Sequence, residues 1–147
     1  NKMKNTILKL TLVLAIAFTS SCRKDAKQKT DELHLSEQNG IELNDGKRWF
    51  ANSETTEGIK NMVRIMNTFN EKEDIKAYAT LTKSLKTEFS MVFEKCTMKG
   101  EAHNQLHDFL IPINDLFEPL GSSNLKKCQD SYDKLNRHLK VYPTYFK

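Results

Sequence analysis

The sequence contains few residues that interrupt a helix. Three prolines and five glycines are spread over 147 residues, and these are the two residue types least favourable inside an α-helix. Long stretches are therefore free to be helical, and no period-two alternation of the kind seen in half-buried strands competes with the helical pattern. The length suits one domain with a modest hydrophobic core rather than two domains.

A stripe of basic residues with interleaved aromatic residues is also missing. The formal net charge of the chain is +4, but residues 1–21 contain three lysines and no acidic residue. Without this segment the formal charge falls to about +1, so the basic character of the whole chain does not indicate a polyanionic partner. We therefore expect no nucleic-acid binding.

No apolar run is long enough to span a membrane as a stable helix, which takes about 20 residues. The longest run covers residues 7–18, and its only charged residue is Lys9. Lys2 and Lys4 precede this run and small residues follow it, an arrangement typical of a secretory signal peptide. We expect residues 1–21 to be such a peptide.

Cys22 directly follows the small residues Thr19-Ser20-Ser21. This arrangement resembles the lipobox of bacterial lipoproteins, although leucine is more usual at the position of Thr19. The resemblance implies that Cys22 is lipidated and becomes the mature N-terminus. Its acyl chains would attach the protein to a membrane of the cell envelope, on the periplasmic or outer-membrane face. The alternative is an ordinary signal peptide in which Cys22 has no special role.

Residues 22–45 are polar and charged, with few large apolar side chains. Such a segment cannot bury enough surface to fold by itself, so we expect a flexible linker between the anchor and a domain at residues 46–147. Asn44-Asp45-Gly46 predicts a turn at the end of this linker. Trp49 follows the turn and is expected to pack over one end of the domain, with stacking on a ligand as the alternative.

Four segments of residues 46–147 have apolar residues at three- and four-residue steps, which predicts four amphipathic helices. The predicted helices cover about residues 53–70, 74–97, 101–120 and 123–142. Pro112 predicts a kink or a short break in the third helix, and Pro143 predicts the end of the fourth. Because the connections are short, the expected fold is all-α, an antiparallel up-down four-helix bundle.

The stretch from Cys96 to His107 carries candidate metal ligands. His103 and His107 are spaced i, i+4, which stacks both imidazoles on one helix face, where they can chelate one ion. Cys96 would reach them across the connection between the second and third helices, and the Met98 thioether would be an accessory donor. Such soft donors suit copper or zinc better than magnesium or calcium. The alternative is that Cys96 is a small core residue and the histidines are boundary residues.

Other chemistry is less well supported by the sequence. Haem-binding bundles can use a Met on the first helix and a His on the last, as Met62 and His138 would be, but no CxxCH motif is present. The up-down topology separates Cys96 and Cys128 by about 15–20 Å along the bundle, whereas disulfide-bonded residues have Cα atoms only about 4.4–6.8 Å apart. We therefore expect no disulfide between them. No nucleophile elbow or phosphate-binding glycine loop occurs, so we expect no enzymatic activity and no catalytic residues.

Two segments have a recognisable pattern. One is Leu43-Asn44-Asp45-Gly46-Lys47-Arg48-Trp49 with residues 52–59, and the other is Cys96-Thr97-Met98-Lys99-Gly100 with His103 and Leu106-His107. Together they resemble a family of small helical secreted proteins and lipoproteins of Bacteroidota-type bacteria. The resemblance covers about residues 41–147 and implies a helical fold and export, but no activity.

Relatives in that family often carry further histidines beside the proline of the third helix. Here Ile111 and Ile113 flank Pro112, which argues against a richly ligated metal site.

Two functions remain open on the sequence alone. One is a lipid-anchored envelope protein whose bundle binds copper or zinc at one pole, with Cys96, His103 and His107 as ligands and Met98 as accessory. The other is a non-catalytic structural or protein-interaction module of the envelope with no metal, whose protein partner the sequence does not identify.

Overall fold

The computed structural model describes residues 40–147. The predicted signal peptide, the lipidation site Cys22 and residues 22–39 of the predicted linker lie outside the described residues. Within the described part, no helix is both long enough and apolar enough to cross a membrane.

Four helices form the domain: α1 (Ser53–Thr68), α2 (Ile75–Lys95), α3 (Gly100–Leu120) and α4 (Leu125–Tyr145). Each coincides with one predicted segment to within a few residues at both ends. Capping side chains set two of the starts, since Asp74 accepts a hydrogen bond from the Lys76 amide and Asn124 accepts one from the Lys127 amide. The prediction of an all-α four-helix bundle is confirmed.

The helices pack in an antiparallel ring. α1 packs most extensively on α2, and α3 packs most extensively on α4, while contacts of α1 with α4 and of α2 with α3 close the ring. Gly58 near the start of α1 lies against Val92 near the end of α2. Phe109 in α3 stacks on His138 near the end of α4. These pairs have the up-down arrangement that the sequence predicts.

The core is built from the predicted apolar stripes of all four helices. Its largest fully buried side chains include Ile59, Met62, Met66, Tyr78, Leu85, Leu106, Phe109, Ile113, Leu120, Leu135 and Leu139. Phe93 lies beside the apolar stripe of α2 but is 44% exposed. The reason is that α2 and α3 pack together less extensively than the two helices of each hairpin.

Pro112 and Pro143 disturb their helices less than the sequence suggests. α3 continues through Pro112 without a break, and α4 continues past Pro143 to Tyr145. The prediction that Pro143 ends α4 is therefore wrong. A proline removes only its own amide donor and has a φ close to the helical value. The turn can therefore continue, with the Phe146 amide donating to the Tyr142 carbonyl at 3.0 Å.

Residues 41–51, which we call the strap, pack on the bundle before α1 begins. The Trp49 amide donates to the Tyr145 carbonyl at 2.7 Å, and the Lys147 amide donates to the Trp49 carbonyl at 2.9 Å. The side chain of Ile41 is buried in the core. The folded body therefore includes residues 41–45, which we had expected to belong to the flexible linker, because Ile41 supplies an apolar anchor.

The predicted turn within the strap is present. Asn44 and Lys47 exchange both backbone hydrogen bonds, at 2.8 and 2.9 Å. Asp45 and Gly46 between them have φ values of +48° and +76°, as in the two-residue hairpin turns that favour Asp-Gly. Trp49 packs partly buried against the core, which agrees with its expected place over one end of the bundle.

Gly58 permits α1 and α2 to approach closely. A Cβ atom added there would lie 2.5 Å from Val92 Cγ2. Valine in a helix is held to nearly one rotamer, so its methyl group cannot easily move aside.

We expect Gly58→Ala to lower the free energy of unfolding by about 1–3 kcal/mol, the usual cost of overpacking. In a Val92→Ala background, the same substitution should be neutral or stabilising, because alanine is better than glycine in a helix by about 1 kcal/mol. Urea unfolding of the four proteins measures both effects. An equal effect of Gly58→Ala in the two backgrounds would contradict this contact.

Candidate functional site

Cys96 and His103 meet across the connection between α2 and α3. Cys96 directly follows the last residue of α2, and α3 begins at Gly100. Gly100 has a φ of +62°, a left-handed conformation that glycine adopts without steric cost. The chain can therefore reverse within a few residues, which brings Cys96 Sγ to 3.6 Å from His103 Nδ1. Both side chains are half-buried.

His107 lies one turn further along α3 and contacts the other edge of the His103 ring. The Nε2 atoms of the two rings are 3.0 Å apart, and the ring centroids are 4.5 Å apart at an interplanar angle of 75°. His103 is thus the middle member of a sulfur–imidazole–imidazole chain, which we call the cluster. Either neutral tautomer of His103 can satisfy both contacts, with the direction of donation reversed between them.

The predicted ligands come together, but they do not surround a single point. Cys96 and His107 approach opposite ring nitrogens of His103, and an ion cannot bind both edges of one ring at once. Accordingly, no three Cys, His, Asp or Glu side chains within residues 40–147 are arranged to hold one ion. The structure therefore places two donor atoms, Cys96 Sγ and His103 Nδ1, where they could bind one ion together. His107 contacts the opposite edge of the His103 ring.

The surroundings of the cluster are partly apolar. Met98, the predicted accessory donor, is half-buried and packs against the hydrophobic core. The exposed ring of Phe93 meets His107 edge-on, with the ring centroids 5.7 Å apart. One side of the cluster is therefore shielded by an aromatic side chain that is itself open to solvent.

Asn52 supports the cluster, a role that the sequence patterns did not reveal. It precedes α1 as a capping residue would, but its side chain makes no capping bond to that helix. Instead, Nδ2 donates to the Lys95 carbonyl at 3.0 Å, and Oδ1 accepts from the Thr97 amide at 3.4 Å. These bonds hold the backbone on both sides of Cys96. An Asn before a helix is ordinarily read as a cap, so no local signal distinguishes this role.

Gln105 is a second supporting residue that the sequence did not identify. Its side chain is buried. Its Oε1 accepts from the Glu42 amide at 2.6 Å, and its Nε2 donates to the Glu101 carboxylate at 2.9 Å. This hydrogen bond and one from Asn104 lower the pKa of Glu101. Gln105 thus connects the strap to the first turns of α3, on which His103 lies.

His138 is separate from the cluster and is fixed in the core. Its Nε2 lies 2.7 Å from the Phe109 carbonyl oxygen, and its ring stacks on that of Phe109 with centroids 4.6 Å apart. This carbonyl belongs to α3, so the contact joins α4 to α3 through the core. Because Nε2 is engaged in this bond, the geometry does not favour haem ligation by His138.

Cys96 and Cys128 are both free thiols, which agrees with the expectation that no disulfide joins them. The Cys128 thiol donates to the Ser122 carbonyl at 3.2 Å, beside the connection between α3 and α4. Cys96 lies beside the connection between α2 and α3, at the opposite pole of the bundle.

The sequence matches no protein family model, and comparisons with curated proteins and with solved structures found no match.

The buried position of His138 makes stability depend on pH. Burial lowers the pKa of His138, and the hydrogen bond to Phe109 opposes this shift only in part. The ring therefore has a lower pKa in the folded protein than in the unfolded chain, where the value is about 6.5. Its contribution to stability is complete above that value and is lost as the pH falls below it.

We expect His138→Gln to weaken this dependence, since glutamine can donate to the Phe109 carbonyl but does not titrate. The free energy of unfolding should fall less in the variant than in the wild type between about pH 7.5 and about pH 5. Urea unfolding at both pH values tests this, because contributions from the carboxylates cancel in the comparison. The same pH dependence in both proteins would contradict the claim that burial lowers the pKa of His138.

Proposed function

We propose that this protein is a lipid-anchored protein of the bacterial envelope whose helical domain binds a soft metal ion, copper(I) before zinc, through Cys96 Sγ and His103 Nδ1. The observation that carries the proposal is the 3.6 Å separation of these two atoms. A thiol and an imidazole together form a soft donor pair, which selects copper(I) or zinc over magnesium and calcium.

The separation of the two donor atoms fits an ion between them. With bonds of about 2.3 Å to sulfur and about 2.0–2.1 Å to nitrogen, an ion bound to atoms 3.6 Å apart would have a ligand–metal–ligand angle of about 110°. The ion would replace the proton that the thiol and the ring now share. Such an angle leaves room for a third ligand, either Met98 after a change of rotamer or a donor from another molecule.

In this proposal, His107 positions His103 and does not bind the ion itself. A metal-bound histidine usually donates its second ring N–H to a neighbouring acceptor, which fixes the tautomer and the ring orientation. The Nε2 of His107 lies 3.0 Å from the Nε2 of His103, at the distance such an acceptor requires. Cys96 and His103 are then the ligands, and His107 supports one of them.

The small number of protein donors favours copper(I) over zinc and favours transfer of the ion to another molecule. Structural zinc sites are closed by four protein ligands, and no group of three candidate side chains converges within residues 40–147. Copper(I) is stable with three ligands in a trigonal arrangement, so the bent angle between the two protein donors suits it when a third ligand completes the site. An ion held by two protein atoms with an open position can pass to a third ligand from a partner, which suits binding and transfer better than a structural role.

The alternative function, a protein-interaction module without metal, also has a specific observation in its favour. Phe93 and Ile111 are large apolar side chains that are 44% and 55% exposed. Phe93 contacts His107, and Ile111 lies one turn beyond His107 on α3. A partner could cover these residues without using the thiol.

Metal titration separates the two functions. We expect reduced protein of residues 23–147 to bind one equivalent of copper(I) in competition with a chelator, and to bind zinc more weakly. Cys96→Ser and His103→Ala should abolish tight binding because each removes a ligand. His107→Ala should weaken binding by about 10–100-fold, as expected for a residue that supports a ligand.

Cys128→Ala is the matched control, since it removes a thiol at the other pole and should leave the affinity unchanged. Copper(I) binding that survives both Cys96→Ser and His103→Ala would refute the metal site and favour the interaction module. A loss in His107→Ala as complete as in His103→Ala would assign His107 as a ligand.

The membrane anchor is tested at Cys22. We expect the chain expressed in a bacterial host to incorporate a labelled fatty acid and to fractionate with membranes, because acyl chains attached to Cys22 partition into the bilayer. Cys22→Ala should lose the label, while Cys128→Ala should keep it. Labelling that is independent of Cys22 would contradict the anchor and leave the metal proposal unaffected.

A further inference from the structure

α1 and α4 leave a groove between them at the pole where α1 begins and α4 ends. The groove has a volume of about 490 Å³, within the range of about 300–1,000 Å³ found for small-molecule sites. Residues of α1, α4, the strap and the C-terminal segment line it. None of the cluster residues belongs to this lining.

The floor of the groove is apolar and firmly held. It includes Ile59 of α1, Leu139 and Tyr142 of α4, and Phe146. The rings of Tyr142 and Phe146 stack with centroids 4.9 Å apart at an angle of 17°. Ile59, Leu139 and Phe146 are each only 1% exposed, so core packing fixes the floor in advance of any ligand. The apolar surface open to a ligand comes mainly from the half-buried Val63 and the exposed Pro143, which also line the groove.

The rim of the groove is basic. Arg48, Lys60 and Lys147 line it, and no acidic side chain does. Within residues 40–147, the only salt bridge joins Lys126 and Asp130, so no carboxylate of this part of the chain pairs with a rim cation. Lys147 Nζ lies over the Phe50 ring, 4.2 Å from its centroid. Arg48 Nη1 donates to the Pro143 carbonyl at 3.3 Å, which keeps the guanidinium beside the groove.

We infer that this groove binds a small amphipathic carboxylate, with its acyl or aromatic part on the apolar floor and its carboxylate among the three cations. Unpaired cations gathered at one place attract an anion, and arginine and lysine form strong hydrogen bonds to carboxylates. A purely inorganic anion would leave the floor unused. The inference does not depend on the metal site, because the two sites share no residue.

Titration calorimetry with monomeric dodecanoate tests the inference on the full chain. We expect one binding site, and no binding of dodecyltrimethylammonium, which has the same tail and the opposite charge. Arg48→Gln combined with Lys60→Gln should weaken dodecanoate binding by about tenfold or more, as expected for the loss of two charged contacts. Val63→Trp should also weaken it, because Val63 lines the groove and a larger side chain fills the space without changing the charge.

Lys83→Gln combined with Lys86→Gln is the matched control, since it removes two exposed lysines that line a groove on the opposite side, between α2 and α3. This pair should leave the affinity unchanged. Any binding of dodecanoate to the apolar residues 7–18 would be the same in all variants, because no substitution changes that segment. Absence of dodecanoate binding, or an equal loss in the control pair, would overturn the inference. Binding to anionic phosphatidylglycerol vesicles without binding to dodecanoate would also overturn it, because the cations would then form a membrane-contact face.

Discussion

The side chain of Asn52 holds the end of α2 in place, and the geometry of the cluster depends on it. Its amide group bonds the backbone on both sides of Cys96, and Thr55 Oγ1 donates to its Oδ1 at 2.7 Å. Each such bond contributes only about 0.5–1.5 kcal/mol, but together they fix the direction in which the chain leaves α2. With Gly100 in a left-handed conformation, this is sufficient to bring the thiol to the imidazole of His103.

The strap links this pole to the rest of the molecule. Its Trp49 pairs with the end of α4, and the Trp49 indole donates to the Glu42 carbonyl at 2.7 Å. The Glu42 amide in turn donates to Gln105, half a turn beyond His103 on α3. The segment that would lead to the lipid anchor is therefore bonded directly to the helix that carries the candidate ligands. An ion at the cluster would lie close to the point where the tether enters the fold.

Periodic apolar residues were sufficient to predict the fold. The residues whose hydrogen bonds hold the cluster in place could not be predicted in this way. The helix ranges and the up-down order follow from spacing, and the i, i+4 histidines are in contact as expected. Cys96 and His107 contact opposite edges of the His103 ring. Which edge faces which neighbour depends on the rotamer of His103, and residue spacing does not determine a rotamer. The roles of Asn52, Gln105 and His138 were not predicted, because each side chain bonds to backbone distant in sequence. Pro143 was misjudged because pairing with the strap stabilises the turn that follows it.

The most direct test of the central claim is X-ray absorption at the copper edge of protein loaded with one equivalent of copper(I). The proposed site predicts one sulfur ligand at about 2.2–2.3 Å and one imidazole nitrogen at about 2.0 Å, with the sulfur signal lost in Cys96→Ser. A spectrum with nitrogen and oxygen ligands only, or a sulfur signal unchanged by Cys96→Ser, would contradict the assignment of Cys96 and His103 as the metal-binding pair.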